Sequence, residues 1–450
     1  MSKLMKSVSG IRGIVGEALT AELAMQFAKQ FGEFCTRGKI LIGRDSRKTG
    51  KMLFQAISAG LLSVGCDVED LGICPTPTIL LEVENSDAMG GIAITASHNP
   101  RQWNAMKLIK GSGTFLTEAD AEKFWEIDPK KVDELGWDQM GQLTQNTKAV
   151  ENHIKKILAL PYVDVEKIKA KNFKVVIDST NGAGVAMSPI LLNKLGCEVI
   201  ELYSAPTGEF SRVPEPQAKN LSSLENLVKE ESADIGFATD PDVDRLSLVS
   251  DKGIALGTEY TLGLVEDFIL SQNKGNIATN LSSSMISDRI AEKYNVKIFR
   301  SKVGEINVAD KMKEHDCVIG GEGNGGIILP DLHYTRDAPM AMALILSSMA
   351  KTGNKLSQLA QKIPDFEFYK TSVPIDDELD FLQLQEEIKE LFPEQEYDST
   401  DGLKVVDQDF WVHIRKSGTE PIIRIFAESE SEKKSKMLVQ KIINLSNWKN

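Results

Sequence analysis

The sequence predicts an α/β protein: three similar mixed α/β sheet domains plus a smaller C-terminal α+β domain, arranged around a central cleft. Three observations lead there. The chain has 450 residues, more than one hydrophobic core usually organises. A strand, polar turn, helix, strand block recurs along it. After each copy, a further buried-strand pattern ends in a loop rich in chemically able side chains.

In the first copy the apolar run Lys39 to Ile42 leads into G-R-D-S-R, a helical stretch Met52 to Leu62, and then G-C-D-V-E-D-L. The second reads K-V-V-I-D-S-T-N-G-A-G, a helical stretch Ala186 to Leu195, then G-C-E-V-I-E-L. A fainter third reads N-I-A-T-N-L-S-S-S, a helix Ile286 to Lys293, then Y-N-V-K-I-F-R. Each has the order of a β-α-β unit. The run Ala338 to Ala350 is too short to span a bilayer and is expected to be a buried helix. From about Phe366 the character changes. A strand Tyr369 to Val373, an acidic amphipathic helix Asp376 to Leu391, a hairpin W-V-H-I-R-K-S-G-T-E-P-I-I-R-I-F-A and a helix Ser431 to Leu445 predict the α+β domain. The expected domains are residues 1–150, 151–255, 256–365 and 366–450.

Composition excludes several classes. A net charge of −13 argues against nucleic-acid binding, which depends largely on Lys and Arg. No apolar run reaches membrane-spanning length, and Met1 to Gly10 lacks the apolar core of a secretory signal, so a cytoplasmic protein with no membrane partner is expected. The five cysteines, Cys35, Cys66, Cys74, Cys197 and Cys317, have no metal-ligand spacing and are expected as buried reduced thiols.

Four loops carry candidate chemistry. In T-A-S-H-N-P, Ser97 ends a strand before Pro100, exposed and positioned; by itself it reads more readily as a turn cap than as a nucleophile. His98 adjoins it, yet a neighbour in an extended loop usually points elsewhere, so no Ser/His dyad is implied. Asp240, Asp242 and Asp244 alternate in D-P-D-V-D-R and can converge on a hard cation. An EF-hand is contradicted by Arg245 and Asp251 at the expected Gly and Glu; a solvated acidic turn is the other alternative. Magnesium fits best, because it takes few protein ligands and commonly a phosphate oxygen. In G-G-E-G-N-G-G, Glu322 and Asn324 can hydrogen-bond sugar hydroxyls, though a plain hairpin explains the glycines as well. Finally Arg415, Lys416, Ser417, Gly418, Thr419 and Arg424 gather guanidinium groups, hydroxyls and turn amides suited to a phosphate dianion; the alternative is a basic surface hairpin.

With these residues in place the chain resembles the α-D-phosphohexomutases along its whole length. T-A-S-H-N-P is similar to their phosphoserine loop, D-P-D-V-D-R to their metal loop, G-E-G-N-G-G to a form of their sugar loop, and R-K-S-G-T-E-P to their phosphate loop. Lesser marks agree: G-I-R-G (Gly10 to Gly13), G-R-D-S-R, P-T-P (Pro75 to Pro77), N-G-A-G, P-E-P (Pro214 to Pro216) and Val303-Gly304.

The resemblance implies four domains around a cleft and a phosphoserine at Ser97. That group passes to a hexose phosphate, giving a hexose 1,6-bisphosphate that turns around and returns the other phosphate, so phosphate moves between the 6 and 1 positions. Mg2+ is then held by Asp240, Asp242, Asp244 and a phosphoryl oxygen on Ser97. Ser97, His98, Lys107 and Arg12 form the expected catalytic group. Arg245, Glu322, Asn324, Arg415, Ser417, Gly418, Thr419 and Arg424 form the expected substrate site. Three aspartates, one magnesium and a phosphoserine sum to roughly −3, so Arg245, Lys107 and Arg12 are needed as offsetting cations. Lys107 is also a candidate general acid or base. The partner is a small sugar phosphate, and the chain is expected as a monomer or homodimer.

Two departures qualify the resemblance. Asn324 and Gly326 stand where the commoner sugar loop has Ser and His, and nearby His333 is not taken as a replacement. Ala105 in W-N-A-M-K stands where the family usually has Gly. The G-E-G-N-G-G variant is associated with phosphoglucosamine mutases, so glucosamine phosphate is the expected substrate. Glucose or mannose phosphate is the runner-up, a metal-dependent sugar phosphatase a remote alternative, and a sugar-phosphate binding protein a further class.

Overall fold

The computed structural model describes residues 4–375, 380–417 and 422–445. Its sheets show why the repeated block matters. In the second unit the strand order is Glu198–Leu202, Lys174–Asp178, Ile235–Thr239, Leu246–Ser250. The first three strands run parallel and the last antiparallel. The third unit repeats this with Ile298–Ser301, Asn276–Asn280, Cys317–Glu322 and Gly326–Ile328. The first unit contains the same series, Val68–Ile73, Ile40–Arg44, Gly90–Ile94 and Trp103–Lys110, inside an eight-stranded sheet. There the strand Gly10–Ile14, with the edge strand Met5–Ser7 on its other side, pairs antiparallel with Trp103–Lys110.

Because the third strand of each unit is parallel and the fourth antiparallel, the connection between them sits at the carboxyl end of the parallel strands. Ligand loops of open α/β sheets gather at that end. The serine loop, the aspartate loop and the glycine-rich loop are these three connections.

Nearly continuous apolar strands such as Ile235–Thr239, buried throughout, follow from helices covering both sheet faces. One cluster, running from Ile154 to Ile363, is shared by the second and third units. At its centre lies the helix Ala338–Thr352, buried at every position from Ala338 to Ala350, as expected from its unbroken apolar run. Asp337 caps it, accepting from the Met340 N–H at 2.8 Å, and Gly353 closes it in the left-handed region. The last unit is an antiparallel sheet, Glu367–Pro374, Ile422–Ser429, Phe410–Lys416, Leu403–Val406, Glu396–Asp398, covered by helices Phe381–Leu391 and Glu432–Ile443 around its own core.

One expected element differs. The stretch Ala186 to Leu195 is a 3-10 turn Ala183–Ala186 followed by a separate helix Ser188–Lys194. Pro189 has no N–H to donate and sits in the first turn of the second piece, where none is needed. The start of the expected helix at Asp376 lies outside the described residues; its described part is capped by Asp380. All five cysteines are buried and free.

Candidate active site

The serine loop is held under tension by its neighbours. Ser97, expected to be exposed, is instead buried, because its hydroxyl turns inward toward the aspartate loop, and it has φ 47°, a left-handed conformation that a side chain normally avoids. Arg47, from G-R-D-S-R, fixes that turn from behind. Its guanidinium donates to the carbonyls of Ser97 (2.6 Å), Asn99 (2.7 Å), Pro100 (2.7 Å) and Trp103 (3.0 Å). Asp45 in turn accepts from Arg47 Nε at 2.9 Å and from the Thr95 hydroxyl at 2.7 Å, and Thr95 Oγ1 accepts from the Ser97 N–H. The turn therefore presents Ser97 Oγ in one direction.

That direction is the aspartate loop. Ser97 Oγ donates to Asp240 Oδ2 at 2.8 Å. Asp240, Asp242 and Asp244 are all buried, and one carboxylate oxygen of each lies within 4.8 Å of the others. Two of the oxygens, Asp242 Oδ1 and Asp244 Oδ1, are buried without a hydrogen-bond donor. Leaving such groups unpaired is costly, and a hard divalent cation is what three clustered carboxylates with free oxygens can hold. Burial, then the charges of Asp244 and Asp242, push the Asp240 carboxyl well above its usual range. Asp242 goes the other way. Burial alone would raise it, but Lys107 and the hydroxyl of Thr76 hold it below the usual carboxylate range. The Lys107 ammonium lies 2.7 Å from Asp242 Oδ2, and Thr76 Oγ1 donates to the same oxygen at 3.0 Å.

Backbone close approach builds this corner. Gly10, φ 131°, faces Lys107 across the strand pair, and a Cβ there would lie 2.0 Å from the Met106 carbonyl. Gly182, in N-G-A-G, lets Pro241 of the aspartate loop approach, a Cβ there meeting its Cα at 2.7 Å. Arg12, two residues along from Gly10, donates to Asn99 Oδ1 at 2.6 Å. His98 places Nδ1 3.4 Å from Ser97 Oγ. Burial, then Arg245 and Arg12, push its pKa down to about 2, so the ring is neutral.

Arg12, Ser97, His98, Lys107, Arg245, Glu322 and Asn324 line one cavity of ≈ 480 Å³. Glu322 and Asn324 also line a second, of ≈ 740 Å³, which reaches Arg415 in the last unit. The two cavities are adjoining lobes of one cleft. Arg245 pairs with Glu215 of P-E-P at 3.0 Å. The Glu322 carboxylate accepts from Asn280 Nδ2 (2.7 Å), the Gly304 N–H (3.0 Å), Arg336 Nη1 (2.5 Å) and Asn324 Nδ2 (3.2 Å). Its pKa lies below the usual range: burial would raise it, and Arg336 and Asn280 outweigh that. Arg415 and Arg424 face each other across the strand pair, and burial lowers the Arg415 pKa, Asp401 opposing and Arg424 adding to the effect. Ser417 is half-buried, and Gly418 and Thr419 lie outside the described residues. His333 does not enter the cleft; it is buried and hydrogen-bonded to Asp337 at 2.9 Å.

Several residues of the site carried no individual expectation. Thr76, Asp45 and Arg47 sit inside P-T-P and G-R-D-S-R, motifs that could have led to them. Arg336 and Glu305, paired at the floor of the cleft, belong to no motif. No described helix is long and apolar enough to cross a membrane.

Comparison with known proteins agrees with this geometry. The phosphoglucomutase/phosphomannomutase α/β/α domains I, II and III match residues 3–131, 151–253 and 258–366, and the C-terminal domain of that family matches 373–445. A phosphoglucomutase/phosphomannomutase of Thermococcus kodakarensis is 39% identical over 449 residues, covering 97% of each chain. A probable phosphoglucosamine mutase of Methanopyrus kandleri is 35% identical over 442 residues, covering 97% of this chain and 96% of its own. The crystal structure of a phosphoglucomutase/phosphomannomutase family protein from Burkholderia thailandensis superposes with a TM-score of 0.84 at 24% identity, covering 97% of this chain and 96% of the other. Four matched domains in order, on the fold and loops described above, place this chain in the phosphoglucomutase/phosphomannomutase family, the α-D-phosphohexomutases.

Proposed function

We propose that this phosphohexomutase interconverts glucosamine 6-phosphate and glucosamine 1-phosphate through a phosphoserine at Ser97 and a bisphosphorylated sugar. The observation that carries the reading is Ser97 Oγ, held 2.8 Å from Asp240 within a carboxylate triad that keeps two oxygens free. Asp240, Asp242 and Asp244 would hold Mg2+, which supplies charge neutralisation at a phosphoryl oxygen. In phosphoryl transfer most of the catalytic work is positioning and charge stabilisation. Arg47 and Asp45 orient the serine turn, Lys107 and Arg12 bring positive charge to its open side, and Arg245 brings it to the aspartate loop. Lys107, facing the cleft, is the candidate general acid or base: as the ammonium salt-bridged to Asp242 it can give a proton to a departing sugar oxygen, and in its neutral form it can take one from an attacking sugar hydroxyl. His98, neutral, can orient the phosphoryl group without adding charge.

At the far lobe, Arg415 with Arg424, Ser417, Gly418 and Thr419 would take the non-reacting phosphate, while Glu322 and Asn324 would order the sugar hydroxyls. The names of the relatives support both sugar choices: several similar proteins are called probable phosphoglucosamine mutases, whereas the 39% identical relative is called a phosphoglucomutase/phosphomannomutase. The second reading is therefore glucose or mannose phosphate.

Intact-mass measurement with peptide mapping tests the mechanism, with one phosphoryl group expected on the Ser97 peptide and none on Ser97→Ala. Unchanged mutase activity in Ser97→Ala would defeat the phosphoserine reading. Coupled assays on glucosamine, glucose and mannose phosphates test the substrate; a far higher kcat/KM for glucose 1-phosphate moves the assignment to the second reading.

A further inference from the structure

Gly326, where the sugar loop departs from its commoner form, has a spatial explanation. A Cβ at that position would lie 2.1 Å from Arg336 Cδ and 2.8 Å from Cγ. Gly326 is not among the glycines with positive φ, so room, not backbone conformation, calls for a glycine. Arg336 runs through the space that a side chain at 326 would fill and reaches the floor of the cleft.

What it meets there is unusual for one guanidinium. Nη2 donates to Asp244 Oδ2 and Nη1 to Glu322 Oε2, each at 2.5 Å, while Nε lies 3.2 Å from Glu305 Oε2. One end of the fork is thus on the aspartate loop and the other on the sugar loop. The arm is anchored: the Arg336 N–H donates to Glu305 Oε1 at 2.9 Å, and the next residue is Asp337, the cap of the helix Ala338–Thr352. Planar, two-ended donation of this kind is open to Arg and not to Lys.

We propose that Arg336 is a positioning residue that couples the cation site to the sugar loop. It is the directly hydrogen-bonded counter-charge of Asp244, Arg245 Nε standing farther off at 3.8 Å, so it competes with a divalent cation, and it fixes the Glu322 carboxylate that orders the loop. The inference builds on the proposed phosphohexomutase site, and its signs are specific. Removing the positive charge makes the aspartate loop more attractive to a divalent cation, while freeing Glu322 makes sugar binding worse. A generally damaged site would weaken both.

The test is Mn2+ titration of the dephosphorylated protein by electron paramagnetic resonance, paired with the KM for glucosamine 1-phosphate. Arg336→Gln is expected to bind Mn2+ about tenfold tighter and to raise KM about fivefold or more. Arg336→Lys keeps the charge but not the fork, so Mn2+ affinity should stay within about threefold of the parent while KM still rises. Gly326→Ala keeps both residues and displaces the side chain, and should raise KM in the same way. Weaker or unchanged Mn2+ binding in Arg336→Gln overturns the proposal, as does a parental KM in both Arg336→Lys and Gly326→Ala. Should Arg336→Gln fail to fold, those two variants decide. The Mn2+ arm needs no turnover, so absence of sugar-phosphate interconversion in the parent protein would count against the proposed function alone.

Discussion

Lys107 and Asp242 form the most consequential single contact of the cleft. The ammonium, almost buried, is 2.7 Å from a carboxylate oxygen that also accepts from Thr76. Lys107→Met removes both the charge next to the serine loop and the candidate proton carrier. The expected result is a fall in kcat of about 10²- to 10⁴-fold with a smaller change in KM, measured by steady-state kinetics; a kcat within a few-fold of the parent would remove Lys107 from the chemistry. Residues like Ser97, the three aspartates and Glu322 were legible in the sequence because each loop packs several able side chains into six or seven positions. Arg336 was not, since its partner Asp244 is 92 residues away and neither flank marks it. Arg47 lies between these cases. Its motif was visible, but its clamp on four carbonyls of the serine loop exists only once the parallel strands Ile40–Arg44 and Gly90–Ile94 are paired.

Among elements, the repeated β-α-β blocks were legible because strand periodicity, turn glycine and helix length recur at matched places. The broken helix near Met187 was not, because its apolar pattern runs on across the break and only Pro189 hints at it. The helix Thr258–Leu270 carries a different message. Glu266, fully buried in it, accepts from Ser287 Oγ with one oxygen and has no partner for the other. Burial raises its pKa to about 8, hydrogen bonding to Ser287 opposing. From its ordinary 4.5 up to about 8 the folded protein keeps a proton that the unfolded chain releases, so stability falls as pH rises through that window. Glu266→Gln removes the titration. Its melting temperature should exceed the parent's at about pH 9 and approach it near pH 5, as read by scanning calorimetry; a gap equal at both pH values would show that Glu266 does not titrate there.

At the scale of the molecule, the apolar clusters divide unevenly. The second and third units share one core from Ile154 to Ile363, whereas the last unit has its own, Leu384 to Ile442. What joins the last unit to the third is polar. Glu428 accepts from the Met285 N–H at 2.7 Å, Ser282 Oγ lies 2.9 Å from His413 Nδ1, and Asp401 accepts from the Val303 N–H at 3.1 Å. Interfaces of this type, without a shared apolar cluster, let domains move and open separately. The shared core, by contrast, must unfold as one unit, and it carries the aspartate loop and the sugar loop together. Arg415 thus approaches the cleft on a part that can shift, while the aspartate and glycine-rich loops cannot separate. In hydrogen exchange at increasing urea, amides of Phe410–Lys416 and Ile422–Ser429 should lose protection together, at lower denaturant than those of Ile235–Thr239 and Cys317–Glu322. The latter two strands should in turn lose theirs at one common concentration. Coincident loss across all four strands would mean that the polar contacts bind the last unit into a single cooperative whole, with no separate freedom for Arg415 to close over the substrate.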